Sequence, residues 1–219
     1  MAVDVIRATT LAVTAVATGR RCLVAANLED ALRLRAAAGD ALLAGELGGT
    51  MPFGFDMNNS PTDLVARDDV DRPIVMLSTS GTELMLAAAR SVDGAYAVCL
   101  RNVSATAAYL IGRHPRVAVI GAGSRGEFRD EDQLACAWLA DRLLRAGYTA
   151  EDPATEDIVA RWVGLPATSI EGSNSVAYLE RTGQLADYDF TVEHLDDVDL
   201  VCSIDGNEVR RREVRSRTA

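Results

Sequence analysis

Apolar runs of strand length alternate along this chain with longer stretches in which apolar residues recur at helical spacing. Strands are predicted at 2–5, 21–26, 41–44, 73–77, 95–100 and 116–120. Helices are predicted at 9–18, 28–38, 62–66, 82–89, 105–111 and 131–146. Asn27 is placed to cap the second helix, Gly39 to stop it, and Pro61 to open the third. Periodicity weakens across 148–172, where short helices or a lid-like insertion are expected. A helix follows at 174–182, then a hairpin-like pair at 200–203 and 208–214 around Asp205-Gly206. The arginines at 210–217 read as a solvated tail. Strands alternating with helices throughout imply an α/β protein with a mainly parallel sheet, organised as one domain over 1–219.

The alternation stops at 45–61, GELGGTMPFGFDMNNSP. A loop this long inside a compact domain is usually functional or disordered. Met51, Phe53, Phe55 and Met57 supply apolar anchors, so an ordered site loop is expected. Its glycines let backbone N–H groups approach a ligand, and Glu46 and Asp56 are suited to a hard cation.

Charge narrows the partners. The formal net charge of −10 argues against a nucleic-acid or anionic-membrane surface, so an anionic substrate needs local positive potential. All 22 basic residues are arginine, which excludes a Schiff-base lysine and a lysine-bearing phosphate loop. Cys22, Cys99, Cys136 and Cys202 are widely spaced and read as reduced core thiols. With only two histidines, His114 and His194, a zinc site is not expected. No apolar run reaches membrane-spanning length, so a soluble, cytoplasmic protein is expected.

In parallel sheets ligands gather beyond the carboxyl ends of the strands. Three strand-to-helix junctions carry small polar residues there: Asp4 to Thr9, Ser78-Thr79-Ser80-Gly81-Thr82, and Gly121-Ala122-Gly123-Ser124-Arg125-Gly126. Each presents backbone N–H groups at a helix start, a ready anion site, with Arg7 and Arg125 beside two of them. Such turns also cap helices, but three together with the long loop favour an anion-binding pocket. Asp4 ends an apolar strand where an unpaired acid is costly. Glu127, Asp130, Glu131 and Asp132 cluster at a helix start, where acids also complement the helix dipole; Asp132 is the best placed of them for a ligand role. Oxygen donors without histidine suit Mg²⁺, and Mg²⁺, arginine and phosphate together suit phosphoryl transfer.

In order, Asp4-Val5-Ile6-Arg7-Ala8-Thr9, Gly45-Glu46, Gly54-Phe55-Asp56, Asn59-Ser60-Pro61, Ser80-Gly81-Thr82, and Ala122-Gly123 through Gly126 to Glu131-Asp132 resemble the 2-phosphosulfolactate phosphatase (ComB) family. Residues 173–187 also resemble that family's closing helix, so the likeness covers nearly the whole chain. It implies a three-layer α/β/α fold with a mixed, mainly parallel sheet, and Mg²⁺-dependent hydrolysis of 2-phospho-3-sulfolactate to 3-sulfolactate and phosphate. Asp4, Glu46, Asp56 and Asp132 are the expected metal ligands, with Arg7 and Arg125 completing the catalytic group. Asn59, Ser60, Thr79, Ser80, Gly81, Thr82, Gly123 and Gly126 would hold the small anionic phosphorylated substrate. Asp4 is either a nucleophile or a metal ligand activating water. A homodimer is expected. Leu47 stands where the family usually has arginine, and Ser80 where it usually has asparagine. Relatives also carry more residues before the Asp4 motif, which implies a misassigned start or a trimmed first strand. Two alternatives follow: a phosphatase for another small phosphorylated hydroxy acid, or a degenerate anion-binding protein.

Overall fold

The computed structural model describes residues 1–91, 94–124 and 126–212. Eight strands form one mixed sheet: β1 (Ala2–Val3), β2 (Cys22–Val24), β3 (Leu42–Gly45), β4 (Ile74–Leu77), β5 (Tyr96–Val98), β6 (Ile120–Gly121), β7 (Val201–Asp205) and β8 (Glu208–Arg212). Their spatial order is β3-β4-β2-β8-β7-β5-β1-β6. Two parallel trios, β3-β4-β2 and β5-β1-β6, are therefore joined by the antiparallel hairpin β7–β8.

Around the sheet pack α1 (Ala8–Ala17), α2 (Leu28–Ala37), α3 (Pro61–Val65), α4 (Gly81–Ser91), α5 (Val103–Leu110), α6 (Asp130–Arg145), α7 (Pro153–Trp162), α8 (Asn174–Arg181) and α9 (Ala186–Glu193). The two-residue period of the strands sorts the core. Ala2, Cys22, Val24, Leu42, Ala44, Ile74, Met76, Ala97, Cys202 and Ile204 share one cluster with Leu11 and Ala12 of α1 and Met85 of α4. On the other side, Leu23, Leu43, Val75 and Leu77 meet Ala31 and Leu34 of α2. Val3, Tyr96, Val98 and Val201 meet Val103 of α5 and Leu134 and Leu139 of α6. Helices thus cover both faces.

Counting strand directions across the order sets the two trios antiparallel to each other, so a flat sheet would put their carboxyl ends at opposite edges. They meet because the sheet curls around α1 and α4. Every α1 residue from Ala8 to Val16 is buried. The hydroxyls of Thr9, Thr10 and Thr14 donate to the carbonyls of Val98, Val5 and Thr10, so a wholly buried helix leaves none of them unpaired.

The differences from the sequence expectation have local causes. Of the strand expected at 116–120 only Ile120 is in β6, because its partner β1 begins at Ala2; the ammonium of Met1 donates to the Ala118 carbonyl instead. Helix α9 was not expected, since ADYDFTVE has no apolar stripe at helical spacing. Arg210, Arg211 and Arg212 are not tail: they lie in β8, with their side chains exposed, while 213–217 fall outside the described residues. In the long loop Phe55 and Met57 are buried, but Met51 and Phe53 are exposed and anchor nothing. Within 148–172 lie α7 and a 3-10 helix, Ala167–Ile170; Trp162 and Ile170 are buried against α6 residues, and Trp162 Nε1 donates to Gln133. Among the described residues no helix is long and apolar enough to cross a membrane.

Candidate active site

The carboxyl ends of β1, β3 and β4 open on a cavity of about 440 Å³. Its wall is made by Asp4, Ile6 and Arg7 after β1, Glu46, Gly48 and Gly49 after β3, Thr79 and Ser80 after β4, and Asn59 from the long loop. Gly123, Ser124, Glu127, Arg129 and Asp132 come from the glycine-rich turn and the start of α6, and Asn174, Ser175, Tyr178, Leu179 and Arg181 from α8.

Asp4 leaves the strand and folds back over the start of α1. Its Oδ1 accepts from the Ala8 N–H at 3.1 Å, and its own N–H donates to Thr9 Oγ1. Behind it stands Gly81, the first residue of α4. A Cβ there would strike the Asp4 carboxylate and the Ala8 methyl, so only glycine lets this helix start come so close. Asp132 spans the next gap: Oδ1 accepts from the Val5 N–H at 2.8 Å and Oδ2 from the Gly123 N–H at 3.0 Å.

Burial dominates the electrostatics of this pair. It pushes the Asp4 carboxyl up to about 6, with the charges of Glu131 and Glu46 adding and the Ala8 N–H and Arg7 opposing. Asp132 is held well above the ordinary carboxylate range, first by burial and then by the charges of Asp4 and Glu131. Two acids in one dry site cannot both ionise cheaply, so burial and their mutual charge hold both carboxyls above the ordinary range.

Glu46 belongs to the same wall but is fully engaged. Its Oε1 accepts from the Thr79 N–H at 2.7 Å; Oε2 accepts from Thr79 Oγ1 at 2.9 Å and the Gly49 N–H at 2.6 Å. It ties the two loops together. Arg7 is buried, and its Nη1 donates to Asp187 Oδ2 at 2.5 Å and to Gln184, while Nη2 donates to Asn58. Asp187 reaches further, since its Oδ1 accepts from Ser60 Oγ at 2.6 Å and from the Thr62 N–H. Asn59 Oδ1 is buried and has no hydrogen-bond partner among the described residues.

Several expected residues stand elsewhere. Asp56 is not brought to Asp4 and Glu46: the loop runs back beside β3, so Asp56 Oδ2 accepts from the Leu43 N–H at 2.8 Å and lies 3.8 Å from Arg35. Ser60 caps α3, and Thr82 exchanges hydrogen bonds with Ser78 at the start of α4; neither lines the cavity. Gly126 takes a positive φ in the turn without lining it, and Arg125 lies outside the described residues. Leu47 is also off the wall, its backbone paired with Thr50. Sequence reasoning passed over Arg129, Arg181, Tyr178, Gln184 and Asp187. The α8 and α9 residues lie more than a hundred positions from Asp4, and an arginine in a last helical turn reads as dipole complement.

No group of three or more His, Cys, Asp and Glu side chains suited to a metal ion occurs among the described residues. The donor set is nonetheless hard oxygen. Both oxygens of Asp132 and of Glu46 already accept from N–H or O–H groups, and only Oδ1 of Asp4 has such a donor. A cation that binds through one carboxylate, water and a substrate phosphate fits this set; one needing a full protein cage does not.

The family model for 2-phosphosulpholactate phosphatases matches residues 1–207. A protein of Deinococcus radiodurans named "Probable 2-phosphosulfolactate phosphatase" is 32% identical over 197 residues, covering 88% of this chain and 82% of its own. One of the same name from Thermus thermophilus is 33% identical over 199 residues, again 88% and 82%. Another, from a Synechococcus strain, is 36% identical over 165 residues, 72% of this chain and 66% of its own. The chain belongs to the 2-phosphosulfolactate phosphatase family, a family of phosphoric monoester hydrolases.

Proposed function

We propose that this protein hydrolyses 2-phospho-3-sulfolactate to 3-sulfolactate and phosphate with Mg²⁺ bound. The observation carrying this reading is a pair of buried acids, Asp4 and Asp132, each raised by burial and by the other's charge or its acidic neighbours', on the wall that holds Arg7. The phosphoryl group sits against Asp4, on the wall that Thr79 and Ser80, leading into α4, share with the Arg7 guanidinium. Asp4 attacks phosphorus directly or takes the proton of an attacking water; the P–O bond to the substrate breaks, and Asp132 delivers the proton to the departing oxygen. In the direct route water then cleaves the phosphoryl group from Asp4, giving its proton back to Asp132 and releasing phosphate. Asp4 holds the cation, which when bound neutralises charge on the phosphoryl oxygens.

The test is phosphate release from 2-phospho-3-sulfolactate and a panel of other small phosphorylated hydroxy acids, with and without Mg²⁺. The expected result is Mg²⁺-dependent release with the highest kcat/KM on phosphosulfolactate. Preference for another member of the panel would reassign the substrate, and anion binding without release at any Mg²⁺ level would reduce the protein to a binding module. Protein quenched in acid during a single turnover, with chiral-labelled phosphate as a second readout, separates the two routes. A phosphoryl adduct on Asp4 with net retention at phosphorus means attack by Asp4, and no adduct with inversion means attack by water.

A further inference from the structure

Among the described residues three guanidinium groups line the cavity, and they are held differently. Arg7 is fixed by Asp187, Gln184 and Asn58, and it is the arginine whose charge favours ionised Asp4. Arg129 lies 3.9 Å from Glu127, a carboxylate 70% exposed, and an ion pair that open to water restrains it little. Arg181 has neither an ion pair nor a hydrogen bond among the described residues. In a chain with 32 acids to 22 arginines, an arginine without a carboxylate beside a cavity is the exception. Complementing the dipole of α8 does not require Arg181 to face inward. Its place is also fixed. One turn earlier the Tyr178 hydroxyl bonds the Gly49 carbonyl, and a Cβ on Gly49 would come within 3.1 Å of that hydroxyl. The face of α8 carrying Arg181 is therefore clamped to the loop after β3.

We infer that Arg129 and Arg181 form a subsite for the acidic group at the far end of the substrate, leaving the phosphoryl group to Arg7 and the start of α4. This assignment rests on reading the cavity as a phosphatase site. A guanidinium fork matches a sulfonate or carboxylate through paired N–H donors. No bond changes at that end, so the contact is equal in ground and transition states and enters KM rather than kcat.

Arg129→Gln, Arg181→Gln and the double variant test it, with 2-phospho-3-sulfolactate compared with p-nitrophenyl phosphate, an ester lacking the second acid. The double variant is expected to lower the ratio of kcat/KM between the two esters by about 10- to 100-fold, chiefly through KM. Calorimetry with 3-sulfolactate, which needs no turnover, is expected to give a matching loss of affinity. Equal losses on both esters, or unaltered 3-sulfolactate affinity, would overturn the subsite. A wild-type protein that binds 3-sulfolactate through these arginines but hydrolyses neither ester would keep the subsite and overturn the phosphatase reading.

Discussion

At the scale of single residues the site is built around a conflict. Asp4 and Asp132 are both buried, and neither has an ion-pair partner among the described residues. Asp4 has a folded-state value of about 6 against an ordinary 3.8. A raised carboxyl favours the folded state fully below the unfolded value, and that contribution is lost as pH rises through the folded one. In metal-free buffer, stability measured by urea unfolding is therefore expected to fall between pH 4 and pH 7 by about 3 kcal/mol on account of Asp4. Asp4→Asn should make that slope shallower, Asp132 and Glu131 keeping their own share, and an unchanged slope would refute the assignment. Asp132→Asn removes an acid but sets an amide NH2 against the Val5 or Gly123 N–H; it should lower Tm and lower kcat by about 10²- to 10⁴-fold. The sequence made Asp4 legible, since an acid ending an apolar strand is costly without a purpose. It made Asp56 equally plausible, and only the path of the loop beside β3 separates the two.

At the scale of elements, glycine and helix ends decide the geometry. Gly81→Ala sets a methyl against the Asp4 carboxylate and Ala8, so α4 or α1 must retreat. Stability is expected to drop by about 1–3 kcal/mol in denaturant unfolding, with a disproportionate loss of kcat. Helix α9 supplies the counter-charge for Arg7, and the two side chains are only 3% and 2% exposed. Asp187→Ala leaves a buried guanidinium uncompensated and should cost about 3–5 kcal/mol by the same measurement. Helix starts were the readable part of the sequence. Asn27 caps α2 as expected, accepting from the Asp30 N–H, and Pro61 opens α3, whereas Ser60, expected to hold substrate, caps that helix instead. Helix α9 was unreadable because Asp187 is buried for its partner Arg7, which defeats any rule that puts charge outside.

At the scale of the molecule, strand–helix alternation announced the α/β class but not the curl, because pairing order is a long-range property that periodicity does not carry. Of the four thiols expected in the core, Cys136 is only half-buried and the other three are buried. Cys22 and Cys99 are raised by burial to about 12 and about 11, and Cys202 is likewise well above its ordinary value. All three lie in the cluster that surrounds α1. They are expected to resist a thiol reagent in the native protein and to react at the rate of global unfolding, as followed by absorbance under excess reagent.

The hairpin β7–β8 joins the two trios, yet it follows every other strand in the chain. A ribosome making this protein releases both halves of the sheet before the piece that unites them. Until residues 201–212 emerge, β2 and β5 each present an open hydrogen-bonding edge, and the halves carrying Asp4 and Glu46 have no strand bridging them. Nascent chains stalled before that point should be protease-sensitive, because the two halves of the sheet still lack the strands that join them.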